Sequence, residues 1–284
     1  MSQLIAVIDG SSYSESVCDH TAWIAKRSGG SVAVVHVLGR RDVSSEPADL
    51  SGSIGLGARS ELLEELAELD GQKAKLAQKR GRAILEGAKE RLAASGIDNV
   101  SVRLRHGEVV ETVSEFEEDA ELIILGMRGE AADFSSGHLG SNLDRVVRST
   151  NKLVLVASKS FQPIKRALIA YDGGLSAIKA VNYIADSKTF ADIDCHLLAV
   201  GDASPDRVRE LEGAAAILQA AGLKATHEFL PGEPEDVIAE KAQNDNFDLL
   251  VMGAYGHSRI RTMIIGSTTS QLLMLCKIPV LLFR

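Results

Sequence analysis

Three glycines and a hydroxyl side chain near the C-terminus are spaced in a way that suits a phosphate group. Gly253 and Gly256 are separated by two residues, Gly266 follows after nine more, and Ser267 stands directly behind it. Glycine lets backbone approach a ligand where a Cβ would otherwise stand, and it adopts positive φ at no steric cost. Ser267, Thr268 and Thr269 are N-cap residue types, so a helix is expected from here through Cys276. Free N–H groups at such a helix start favour an anion. Arg259 and Arg261 lie within the nine-residue interval and add positive charge. The chemistry this spacing suits is phosphate binding by backbone. The alternative is a tight strand-helix connection with an ordinary cap, because isolated glycine motifs are common.

Such a loop needs a strand before it and a helix after it. LLVMG is a continuous apolar run ending on Gly253, and IPVLLF beyond the helix is another. Earlier in the chain, strands are expected at LIAVIDGSS (Leu4 to Ser12), SVAVVHVLG (Ser31 to Gly39), VSVRLRHG (Val100 to Gly107), ELIILG (Glu121 to Gly126) and KLVLVAS (Lys152 to Ser158). Helices are expected over Tyr13 to Ser28, with Val17, Thr21, Ile24 and Ala25 on one face, over Leu62 to Ala94, and over Glu108 to Glu118. Arg40 to Ser60 is rich in Ser, Gly, Asp and Pro and reads as a loop. Continuous apolar strands alternating with helices indicate a parallel sheet covered on both faces.

The order then restarts. RALIAYDGG places Asp172 where LIAVIDGSS has Asp9, CHLLAVG echoes VVHVLG, and PGEPEDVI echoes HGEVVETV. Two copies of one open α/β domain are expected, at 1–160 and 161–284. The first copy repeats the glycines as Gly126, Gly129 and Gly140, followed by Ser141, with ten residues before Gly140 instead of nine. Its loop carries Glu130 and Asp133 where the second carries the arginines. The second copy is therefore the expected better phosphate site.

At 284 residues and 45% hydrophobic composition, the chain can bury a sizeable core in about two domains. A formal charge of −8 and 4% aromatic residues argue against a nucleic-acid surface. Cys18, Cys195 and Cys276 lie far apart, which fits neither a disulfide framework nor a zinc site. No apolar run is long enough to span a membrane and no secretory leader is visible, so a cytoplasmic protein is expected.

The combination of DGS after the first strand, HV at the end of the second, GE before a short helix and G-x2-G-x9-G-S/T before the last helix resembles the universal stress protein family in its tandem two-domain form. The resemblance implies two adenine-nucleotide α-hydrolase-like (Rossmann-like) open parallel-sheet domains, with final strands pairing between them. It implies that Asp172 contacts adenosine and that Val200 contacts adenine through its backbone. Gly253, Gly256, Gly266 and Ser267 would hold ribose and phosphates, with Thr268 close to the same helix start; the charge of the loop adds Arg259 to these nucleotide-binding candidates. In the first copy Asp9, Val37, Gly126, Gly129, Gly140 and Ser141 match by residue type as a second site.

The expected ligand is ATP or another adenine nucleotide accompanied by Mg²⁺, whose usual partners are phosphate oxygens and water. The expected role is a stress-response protein whose nucleotide occupancy tunes assembly or partner binding, a homodimer included. A nucleotide-independent scaffold whose glycines are only turns is the alternative, and Asp9 and Asp172 could then simply cap the first helix of each copy. Slow ATP hydrolysis is the second. There is no GxxxxGK[ST] lysine and no carboxylate and His pair placed for catalysis, so efficient turnover is not expected.

Overall fold

A computed structural model describes residues 3–39, 56–129, 140–254 and 267–284. The first half runs β1 (Gln3–Ile8), α1 (Ser14–Ser28), β2 (Ser31–Leu38), α2 (Leu56–Ala94), β3 (Val100–His106), α3 (Val109–Phe116), β4 (Ala120–Gly126), α4 (Ser141–Ser149) and β5 (Leu153–Ala157). The second runs β6 (Arg166–Ala170), α5 (Leu175–Asp186), β7 (Asp194–Val200), α6 (Pro205–Ala220), β8 (Ala225–Leu230), α7 (Pro234–Asn244), β9 (Leu249–Gly253), α8 (Ser267–Leu275) and β10 (Val280–Phe283).

The strands form one ten-stranded sheet in the order β3-β2-β1-β4-β5-β10-β9-β6-β7-β8. Within each half every pairing is parallel, while β5 and β10 meet antiparallel, Leu155 opposite Leu281. Each half thus contributes five parallel strands, and the final strand of each serves as the other's partner. That pairing removes two sheet edges which would otherwise invite association with other chains.

Strands buried on both faces explain the continuous apolar runs, because neither side chain direction meets water. One core contains α1, α2, α5 and α6 with alternate strand residues such as Leu4, Leu155 and Leu281. The opposite core holds Ile5, Val154, Val156 and Leu282 against α3, α4, α7 and α8. Both cores run unbroken across the seam between halves. Val17, Thr21, Ile24 and Ala25 are all buried on α1, as their spacing requires.

The structure changes one boundary. The loop expected over Arg40 to Ser60 ends at Leu56, where α2 begins, and residues 40–55 lie outside the described residues. Gly57 and Ser60 read as loop residues, but extending a formed helix adds one hydrogen bond for each residue fixed, so α2 continues back through them.

Candidate functional site

In each half the chain leaves the first strand toward one face and the fourth strand toward the other. The adjacent C-terminal ends of β1 and β4, and of β6 and β9, are therefore topological switch points, where open α/β sheets form clefts. The candidate residues fall on these ends.

In the first half, Asp9 follows β1 and its Oδ1 accepts from the Ser11 backbone N–H at 3.0 Å and the Ser14 hydroxyl at 3.4 Å. Ser14 Oγ in turn accepts from the Gly10 N–H at 2.9 Å. Asp9 is thus held by its own turn and does not cap α1, whose N-cap Tyr13 makes no side-chain cap bond. The glycines close around it. A Cβ on Gly129 would lie 2.8 Å from Asp9 Oδ2, and one on Gly126 would lie 2.7 Å from Tyr13 Cβ. Gly140 returns to the same place, its N–H donating to the Met127 carbonyl at 3.3 Å. Four residues spread over 132 positions in sequence, from Asp9 to Gly140, are thus brought together. Val37, near the end of β2, is buried.

In the second half, Asp172 follows β6 and its Oδ1 accepts from the Gly174 N–H at 2.8 Å. Gly253 ends β9, and the next residue, Ala254, donates its N–H to the Phe283 carbonyl at 2.7 Å, tying the loop start to β10. Val200 ends β7, and its carbonyl accepts from Arg207 Nη2 at 3.3 Å. Arg207 also donates to the Asp202 carbonyl at 3.0 Å and stacks over Phe229, 5.0 Å from the ring centre. Gly256, Arg259 and Gly266, with His257 and Arg261, lie outside the described residues, and of Ser267 only its position as the first residue of α8 is described.

Two hydroxyls at the start of α8 reach other elements. Thr268 donates to Glu235 Oε2 at 3.4 Å, and Thr269 donates to the Ala254 carbonyl at 3.1 Å. Thr269 thereby fixes the helix start against the end of β9. Arg207 and Glu235 were not among the residues expected from sequence, and Thr269 was expected there as a helix-cap type and not for a bond to the end of β9. Only Thr269, the third hydroxyl in a row after Gly266, carried a local signal.

The two clefts differ in one wall. The left-handed turn glycine is Gly10 in the first half (φ +81°) and Gly173 in the second (φ +77°), positions that disfavour a side chain. Ile84 of α2 presses on Gly10, its Cδ1 at 2.7 Å from a built Cβ, whereas Glu210 Oε2 of α6 lies 3.0 Å from that point on Gly173. The second cleft is therefore more polar here. Burial pushes the Tyr171 phenol up, and the charges of Glu210 and Asp172 push it further, so Tyr171 stays neutral beside them. Among the described residues, no group of three or more His, Cys, Asp or Glu side chains is placed to hold a metal ion. The three cysteines are free and buried, which holds Cys18 and Cys195 up at about 12 and Cys276 at about 11. No helix among the described residues is long and apolar enough to cross a membrane.

Fold and site together define a tandem doubly wound α/β protein, with an aspartate and three glycines gathered at the switch point of its first repeat. The chain belongs to the universal stress protein family, which it matches over residues 1–158 and again over 163–284. It is 40% identical over 287 residues to a universal stress protein of Synechocystis sp., with both chains covered completely. The crystal structure of a universal stress protein from Archaeoglobus fulgidus superposes with a TM-score of 0.73 at 20% identity, covering 99% of this chain and 98% of that one. That of a putative universal stress protein from Pseudomonas aeruginosa gives 0.62 at 16% identity, covering 99% and 92%. These two likenesses speak for the fold.

Proposed function

We propose that this protein binds an adenine nucleotide, ATP with Mg²⁺, mainly in its second half, and that occupancy tunes assembly or partner binding in a cytoplasmic stress response. The observation that carries the reading is the convergence of an aspartate and spaced glycines on a switch point. In the first half Gly129 lies against Asp9 with room for no Cβ, and Gly140 folds back on Met127. The second half carries the same residue types after the equivalent strands. Glycines at these points leave no side chain between the backbone and a ligand, which is what a phosphate chain needs.

The residues fit such a ligand. Asp172 would accept hydrogen bonds from the adenosine moiety and the Val200 backbone would meet adenine, with Arg207 steadying that carbonyl. Gly253, Gly256, Gly266 and Ser267 would hold ribose and phosphates, and Arg259 would offset their charge. Thr268 stands at the same helix start. Bound Mg²⁺ would screen phosphate charge, held by phosphate oxygens and water. Glu235, close to Thr268, is the acidic side chain that this screening would favour.

Isothermal titration of the ligand-free chain with ATP and Mg²⁺ is expected to show binding, and mass spectrometry of nucleotide released on denaturation identifies the species. A flat titration across adenine nucleotides would sink the proposal. Gly266→Val should weaken ATP more than Gly140→Val does, and an equal or larger loss from Gly140→Val would overturn the ranking of the halves. The scaffold reading draws on Asp9 and Asp172 each serving their own turn. It predicts that Gly266→Val lowers stability with no nucleotide present.

A further inference from the structure

Helix α2 is 39 residues long and is built from two parts. Its C-terminal part packs on the domain through Leu85, Ala88 and Leu92, which are 3%, 8% and 0% exposed. Gly81 sits so close that a Cβ there would meet Leu104 at 2.8 Å and His36 at 2.9 Å. Residues 62–80 include no buried side chain. Yet this part carries leucines at 62, 66, 69 and 76, which with Lys73 alternate four and three residues apart. That is the spacing of a coiled-coil seam.

The Leu69 to Leu76 end of the seam faces away from the domain. Leu76 precedes Leu85 by nine residues, and about 100° per residue amounts to a half turn beyond two full turns. Leu69 and Leu76, one heptad apart, are 50% and 68% exposed. An apolar stripe of this kind marks a surface that another helix covers.

Charge identifies the partner. Glu64, Glu65 and Glu68 lie on one side of Gly71, and Lys75, Lys79 and Arg82 lie on the other, all six exposed. At about 100° per residue Glu65 and Lys79 are the two that flank the seam, and a helix running antiparallel with the same sequence sets each Glu65 beside a Lys79, twice, about a two-fold axis near Gly71. A parallel copy would set like charges together. A partner of one charge sign would match only one block.

We propose that α2 is a dimerisation arm, pairing antiparallel with α2 of a second copy of this chain along Leu62, Leu66, Leu69 and Leu76. Lys73 is the charged seam residue of the sort that sets register and partner number. The arm contains none of the candidate nucleotide-binding residues, so the pairing stands or falls independently of the nucleotide reading.

The test is sedimentation equilibrium of the full chain, without nucleotide, at up to about 100 μM, a range that resolves micromolar association. Wild type is expected to dimerise, and Leu69→Glu with Leu76→Glu should raise the dissociation constant by about a hundredfold or more. Circular dichroism should be unchanged, since both leucines are exposed. The triple variants Glu64→Lys, Glu65→Lys, Glu68→Lys and Lys75→Glu, Lys79→Glu, Arg82→Glu should each be monomeric alone and pair when mixed. A monomeric wild type, a dimer indifferent to the leucine changes, or a mixture that fails to pair would each overturn the proposal.

Discussion

Replacing Gly126 with alanine isolates what the glycine spacing does before any ligand binds. The new Cβ would stand 2.7 Å from Tyr13 Cβ, 3.2 Å from Tyr13 Cγ and 3.3 Å from the Arg128 carbonyl oxygen. Carbon atoms settle about 3.5–4.0 Å apart, so roughly 1 Å of separation must be found. Tyr13 Cβ is one bond from backbone at the start of α1, and the Arg128 oxygen is itself backbone, so no side-chain rotation relieves the clash. Overpacking of this kind costs about 1–3 kcal/mol. Gly129→Ala is the contrast. Its Cβ would meet Asp9 Oδ2 at 2.8 Å, the tip of a side chain that can turn away. Turning gives up the bonds from Ser11 at 3.0 Å and Ser14 at 3.4 Å. The second of these is long, so the loss is about one ordinary hydrogen bond, near 1 kcal/mol. Urea unfolding of the nucleotide-free chain should therefore rank wild type above Gly129→Ala and Gly129→Ala above Gly126→Ala. Nucleotide affinity of the first half should fall in both. Wild-type stability in Gly126→Ala would refute the close approach on which the site is built.

Three further outcomes follow from other parts of the structure. Arg207→Ala removes two hydrogen bonds to carbonyls and a stacked contact with Phe229, so thermal unfolding should show a loss of about 1–2 kcal/mol and ATP affinity should fall with it. Leu281→Ala hollows the centre of the seam, where Leu281 is 2% exposed opposite Leu155, and should cost about 2–5 kcal/mol, seen as separate calorimetric transitions for the two halves. Acid should destabilise the protein in two stages. Burial holds His20 and His196 below the ordinary imidazole value, so below about pH 6.5 the unfolded chain takes up protons the folded chain refuses. Lys241 holds Glu228 and Asp245 low, a contribution present above the unfolded carboxylate value and lost as pH falls through their folded values. Urea midpoints of His20→Leu should be flatter than wild type across the first stage, and an unchanged slope would remove His20 from this account.

The strands were legible because burial on both faces demands unbroken apolar runs, and LIAVI, VAVVHV and LLVMG each say so without reference to the rest of the chain. The two-copy organisation was legible because Asp9 and Asp172 recur at the same place in the same order. Side-chain partnerships across loops were not. Arg207 holds a carbonyl seven residues away, Thr269 one 15 away, and Thr268 donates to Glu235, 33 away. Which of several nearby polar groups each side chain reaches depends on how helices seat against the sheet, and residue types do not record that.

The comparison of the two clefts shows where this matters for function. In sequence the halves differ at the glycine loop, ten residues with Glu130 and Asp133 against nine with Arg259 and Arg261. In the structure they also differ on the opposite wall, contributed by the segment between the second and third strands of each half. There α2 presents Ile84 to Gly10, and α6 presents Glu210 to Gly173. With the proposed nucleotide bound, an apolar wall over the turn would leave a polar ligand atom without a partner in the first half, whereas a carboxylate would offer an acceptor in the second. That segment is also where α2 lengthens into its projecting arm. The same segment thus places an apolar side chain against the first turn and carries the proposed pairing surface. On the proposed nucleotide reading, selectivity between the halves would rest on the helical walls as well as on the glycines, and exchanging Ile84 and Glu210 by Ile84→Glu and Glu210→Ile should shift relative nucleotide affinity toward the first half while leaving both glycine loops intact.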